Sequence, residues 1–91
     1  MEYVFSKPYE FEGKVYESID FDLDSITGAD VSTVKRQFMA AGKTAQLYTT
    51  DLDFCAMLLA KVLKQPVEFM DQMPGKDYLK LTTMVSVFLL N

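Results

Sequence analysis

The stretch SIDFDLDSITGADVSTVK, Ser18 to Lys35, changes its periodicity part of the way along, and that change decides the fold. From Ser18 to Asp24 polar and apolar residues alternate, with Ile19, Phe21 and Leu23 on one side and Asp20, Asp22 and Asp24 on the other. A period of two predicts a strand with one wet face. The alternation stops at Ser25-Ile26-Thr27-Gly28, and Val31, Val34, Phe38 and Ala41 then recur at helical spacings of three and four. Thr27 is placed to cap the new helix, and Asp30, three residues on, sits at its positive end. A strand therefore hands over to a helix across a short polar turn.

Upstream, Tyr3 to Phe11 is rich in aromatics, and Pro8 predicts an edge or bulge because it lacks a backbone donor. Glu12-Gly13 reads as a hairpin turn, with the returning strand over Val15 to Leu23. Two strands alone are marginal in water, so the hairpin must pack on helices or on another subunit. Downstream, the first helix is expected from about Ala29 to Ala41, stopped by Gly42. A polar loop, Lys43 to Thr50, leads to a second helix capped by Thr50 or Asp51 and ending at Gln65, before Pro66. Pro66 to Met70 reads as a short helical turn, and a third main helix runs from Pro74 to about Leu90 with Asp77 inside its positive end. The expectation is one small α+β domain: an N-terminal β-hairpin (residues 1–24) followed by three main α-helices (residues 27–91). No internal repeat or low-complexity segment interrupts it.

Composition narrows the function classes. A 91-residue chain buries only about 60–65% of its unfolded surface, so its core is thin. Hydrophobic residues make up 49%, too many for a disordered chain. No basic N-terminal region precedes an apolar run, and no apolar stretch approaches the roughly 20 residues of a membrane span, which predicts a soluble intracellular protein. The single cysteine, Cys55, precludes an internal disulfide. Residues 1–30 carry eight acids against Lys7 and Lys14, whereas residues 31–91 carry seven bases against five acids. An acidic hairpin without a lysine–arginine cluster argues against nucleic acid as partner.

Reactive groups are scarce. Asp20, Asp22 and Asp24 alternate as in some calcium loops, but Ser25 stands where the loop glycine belongs and Val31 where its bidentate glutamate belongs. Cys55 lies on the apolar face of the second helix, between Leu52 and Leu59, and a chain with no histidine offers it no imidazole base. It reads as a packing residue. Asp51 and Asp53 serve the second helix's positive end. Thr27-Gly28-Ala29-Asp30 lacks the further glycine and the lysine of a phosphate loop. No catalytic, metal-binding or cofactor-binding residue is expected.

Two features point to association instead. The third helix is apolar nearly all the way round: Leu81, Val85 and Phe88 form one stripe, which Met84, Val87 and Leu90 widen. Such a helix is either central or covered by a partner, and a chain this small cannot easily surround it. Met39, Met57, Met70, Met73 and Met84 are also more methionines than a thin core needs, and methionine suits adaptable contact surfaces.

The order of motifs resembles the small tail assembly chaperones of long-tailed bacteriophages and prophages, the group that includes the Mu-like tail proteins. That group has an L-x-K-P strand before a glycine hairpin, and here the positions read Phe5-Ser6-Lys7-Pro8. Its x-x-T-G-x-D-L opening of the first helix is similar to Ile26-Thr27-Gly28-Ala29-Asp30-Val31, with valine for the usual leucine. Its A-x-x-L-x-x-P close of the second helix matches Ala60 to Pro66, and its terminal D-x-x-x-L-x-x-V-x-x-F-L resembles Asp77 through Leu89, with one extra residue between Leu81 and Val85. The resemblance spans nearly the whole chain and rests on order and spacing, since each motif is short. The first strand is heavier in aromatics than the group's pattern.

The resemblance implies a non-enzymatic protein of the bacterial host cytoplasm that binds the long, helical tape-measure protein and keeps it soluble while tail-tube subunits assemble around it. It also implies self-association, and a chain corresponding to the short product of a ribosomal frameshift. The partner-binding residues expected are Met84, Val85, Phe88 and Leu89 of the third helix. The alternative is a homo-oligomeric structural subunit of the tail. An enzyme or ligand-binding domain would need convergent polar groups that these helical faces do not offer.

Overall fold

In the computed structural model, which describes residues 1–91, Glu2–Phe11 (β1) and Lys14–Asp20 (β2) form an antiparallel hairpin. Its turn has positive φ at both Glu12 (52°) and Gly13 (80°), the pattern of a turn whose twist matches that of the strands. Pairing is not continuous. Val4 lies opposite Ser18 and Tyr9 opposite Tyr16, so Phe5 to Pro8 bulge out against Glu17 alone. The bulge expected at Pro8 is present, and it begins three residues earlier. Phe5, Tyr9, Phe11 and Ile19 are buried on the inner face of the hairpin, while Val4 and Val15 are exposed.

β2 ends at Asp20, short of the Leu23 expected from the alternation. Asp22 turns its carboxylate to the backbone N–H of Asp24 (3.0 Å) and caps a single 3₁₀ turn over Leu23–Ser25. The short acidic side chain offers the backbone a local partner in place of a ladder bond. Burial still alternates past the strand: Phe21 and Leu23 are buried, and the three aspartates are exposed.

Helix α1 spans Gly28–Ala40 behind a complete capping box, in which Thr27 Oγ1 accepts from the Asp30 N–H (3.2 Å) and Asp30 accepts from the Thr27 N–H (3.0 Å). The Thr27 backbone bond chiefly holds the Asp30 carboxyl below its ordinary value. Gly42, at φ 81°, lets the chain leave α1 in a left-handed closure, with Lys43 N–H donating to Phe38 O (3.2 Å). Helix α2 (Leu52–Leu63) is capped by Asp51, whose carboxylate accepts from Phe54 N–H at 2.9 Å. It ends two residues before the expected Gln65, because Lys64 adopts a left-handed conformation (φ 58°) and Gln65 N–H closes back on Ala60 O at 2.9 Å. The closure comes ahead of Pro66 rather than at it. A short α3 (Val67–Asp71) and a long α4 (Gly75–Leu90) follow, with Pro74 at the N-cap of α4 instead of in its first turn.

The fold is thus α+β, with α2 at its centre: Phe54, Cys55, Ala56, Leu58, Leu59 and Ala60 are all buried. α4 packs chiefly along α2, and α1 and α3 flank it. The hairpin is held by helices of its own chain. The rings of Tyr9, Phe11 and Tyr16 meet the Phe69 ring of α3 at centroid distances of 5.3, 5.2 and 5.1 Å, all edge-on. Tyr9 Oη also donates to Phe69 O at 2.7 Å. A second aromatic cluster, Phe38, Tyr48 and Phe54, ties α1 and the interhelical loop to α2.

Candidate partner-binding surface

α4 has two faces of different character, and a 100° rotation per residue explains the split. Leu81, Thr82 and Val85 point inward and are fully buried. On the opposite side Leu79, Val87 and Leu90 are exposed at 54%, 53% and 61%, with Thr83 exposed between them. Lys76 and Lys80 are exposed beside Leu79, and neither takes part in an ion pair. The only acid on α4, Asp77, faces the interior. The outward face is therefore an apolar row with two free cations at its N-terminal end.

Polar bonds fix the rotation of α4. Tyr78 Oη donates to Asp53 of α2 (2.8 Å), and Ser86 Oγ donates to Thr49 O (2.6 Å) in the interhelical loop. Burial and then the Asp53 carboxylate push the Tyr78 hydroxyl well above its ordinary range. Asp77 anchors the N-terminal end. Its Oδ1 accepts from Tyr3 Oη (2.5 Å) and from Ser6 N–H (3.0 Å), and its Oδ2 accepts from Ser6 Oγ (2.9 Å). Burial alone would raise this carboxyl, but the Tyr3 and Ser6 donors and the Lys80 charge outweigh it and hold the group below its ordinary value. Tyr3 is raised to about 12 in return, by burial first and then by Asp77.

The expected contact residues do not form one patch. Val85 has no exposed surface and belongs to the core, because it sits on the α2 side of α4. Met84 is half-buried at the margin of the exposed face, and Phe88 and Leu89 are half-buried on the inward side, packed against the core. Leu79, absent from the expected set, is exposed at the head of the row; its signal was its eleven-residue spacing from Leu90, which puts both on nearly the same side of a helix. The methionines are dispersed as well: Met70 and Met73 are buried, Met57 and Met84 half-buried, and Met39 is exposed on α1.

The remaining candidates have structural surroundings. Cys55 is fully buried, its Sγ 3.8 Å from Thr49 O, and burial, followed by the Asp51 charge, raises its thiol to about 11. No cluster of three or more acids and cysteines is placed to hold a metal ion. No helix is long and apolar enough to cross a membrane. Comparisons with protein-family models, with curated proteins and with solved structures find no match to this chain.

Proposed function

We propose that this chain is a non-enzymatic tail assembly chaperone of a phage or prophage, which binds the helical tape-measure protein through α4 and keeps it soluble until the tail tube forms. The observation that carries the reading is the exposed apolar row Leu79, Val87 and Leu90 on a helix whose other face is fixed in the core. A row of this kind suits an amphipathic client helix, which brings an apolar stripe of its own. Met84 at the margin adds a flexible side chain that can follow an irregular client surface. The acidic residues of the hairpin keep the chain soluble while the row stays available.

The order and spacing of the motifs add the phage context. A chaperone of this type acts in the bacterial cytoplasm and leaves before the tail is complete. Quantitative mass spectrometry of assembly intermediates and of finished tails tests this. The chain should accompany tape-measure protein in intermediates and be absent from mature tails. Stoichiometric retention in mature tails would replace the chaperone reading with that of a homo-oligomeric structural subunit.

A further inference from the structure

The outward face of α4 carries charge information that bears on which helix it accepts. Lys76 and Lys80 stand at one end of the row, exposed and unpaired, and no acid shares the face. Leu79 to Leu90 covers about 16 Å along the helix at ~1.5 Å per residue, the length of three turns. The remaining two-thirds of the row, Thr83, Val87 and Leu90, is uncharged.

We infer that α4 binds an amphipathic helix lying antiparallel to it, with acidic residues flanking the apolar stripe in the helix's C-terminal half. This deepens the reading above and rests on it for the kind of client. An antiparallel arrangement brings the partner's C-terminal end, the negative end of its dipole, over Lys76 and Lys80. Acids there pair with both lysines, and the apolar N-terminal half of the partner meets Val87 and Leu90. A parallel partner would set two positive helix ends side by side. A second copy of α4 fits less well, since its outward face offers lysines and no acid to pair with them.

The test uses three synthetic 18-residue peptides that share one leucine stripe: one with glutamates flanking its C-terminal half, one with them in its N-terminal half, and one with lysines in their place. Binding to the full chain is measured by fluorescence anisotropy at low salt. The C-terminal glutamate peptide should bind about fivefold more tightly than the N-terminal one, as expected of two exposed charge pairs. Lys76→Glu with Lys80→Glu should erase that preference and favour the lysine peptide, while Val87→Asp should abolish binding of all three. Equal binding of the three peptides by the wild-type chain overturns the inference and leaves the apolar contact standing. No binding of any peptide, or a row occupied by a second copy in sedimentation, overturns the inference too. Because the peptides are synthetic, either result is independent of whether a tape-measure protein is the natural client.

Discussion

Asp77, in the first turn of α4, accepts both the backbone N–H and the hydroxyl of Ser6, at 3.0 and 2.9 Å, across 71 positions of sequence. Ser6 lies within the bulge that takes Phe5 to Pro8 out of the strand ladder, so its N–H needs a partner from elsewhere. The buried carboxylate supplies it and accepts the Tyr3 hydroxyl as well. One side chain thus closes the irregularity of the hairpin and holds the N-terminal end of the helix that presents the candidate surface.

Removing that acceptor should be costly. Asp77→Ala leaves the Ser6 N–H and hydroxyl and the Tyr3 hydroxyl without their partner, and an unfolding loss of about 3 kcal/mol is expected in urea denaturation. Ser6→Ala deletes one donor while keeping the other two bonds, and should cost about 1 kcal/mol. A loss below about 0.5 kcal/mol for Asp77→Ala would show that the clamp contributes little.

The same carboxylate confers a pH dependence. Its folded-state value lies below the unfolded value of about 4, so the unfolded chain binds more protons in that window. The contribution of Asp77 to stability is complete above the unfolded value and is lost as pH falls through the folded one. Asp77→Asn should be less stable than wild type at pH 7 and show a shallower fall in stability below pH 4. Parallel acid-denaturation curves for the two proteins would contradict this.

Much of this layout is legible in the sequence wherever the determining contact is local. Thr27 with Asp30, Asp51, Gly13 and Gly42 act on backbone groups within a few residues, and each stands where its spacing predicts. The role of Asp77 is not legible in this way. An aspartate near a helix start satisfies the dipole rule whether or not it is buried, and Ser6 gives no sign that a bulge will turn its N–H inward. Lys64 is similar, since nothing short of the structure marks a lysine for a left-handed closure. The surface itself is half legible. An all-round apolar helix signals a second face, but which side is inward depends on the Tyr78–Asp53 and Ser86–Thr49 bonds.

Glu12 occupies a positive-φ turn position that asparagine adopts more readily. Glu12→Asn should stabilise the chain by about 0.5–1 kcal/mol, read as an increase in the urea midpoint at constant slope. An unchanged or lower midpoint would mean that the turn carries no such strain.

Cys55 should behave as a packing residue. With its thiol at about 11, the thiolate fraction at pH 8 is about one part in a thousand, and burial restricts access further. Modification by a thiol reagent in the native state should be slow and should accelerate on unfolding. Cys55→Ala should retain partner binding at a stability cost of about 1 kcal/mol. Rapid native-state labelling accompanied by loss of binding would assign the thiol a functional role.

The most direct measurement of the central claim is the soluble fraction of the tape-measure protein from the same phage or prophage, expressed alone, with the wild-type chain, and with Val87→Asp. Val87 is exposed, so the aspartate leaves the core undisturbed and places a charge in the middle of the row. The wild-type chain should raise the soluble fraction several-fold and co-purify with it, and Val87→Asp should lose the gain while keeping the wild-type unfolding midpoint. A client that stays insoluble with the wild-type chain, or is rescued equally by Val87→Asp, would contradict the account.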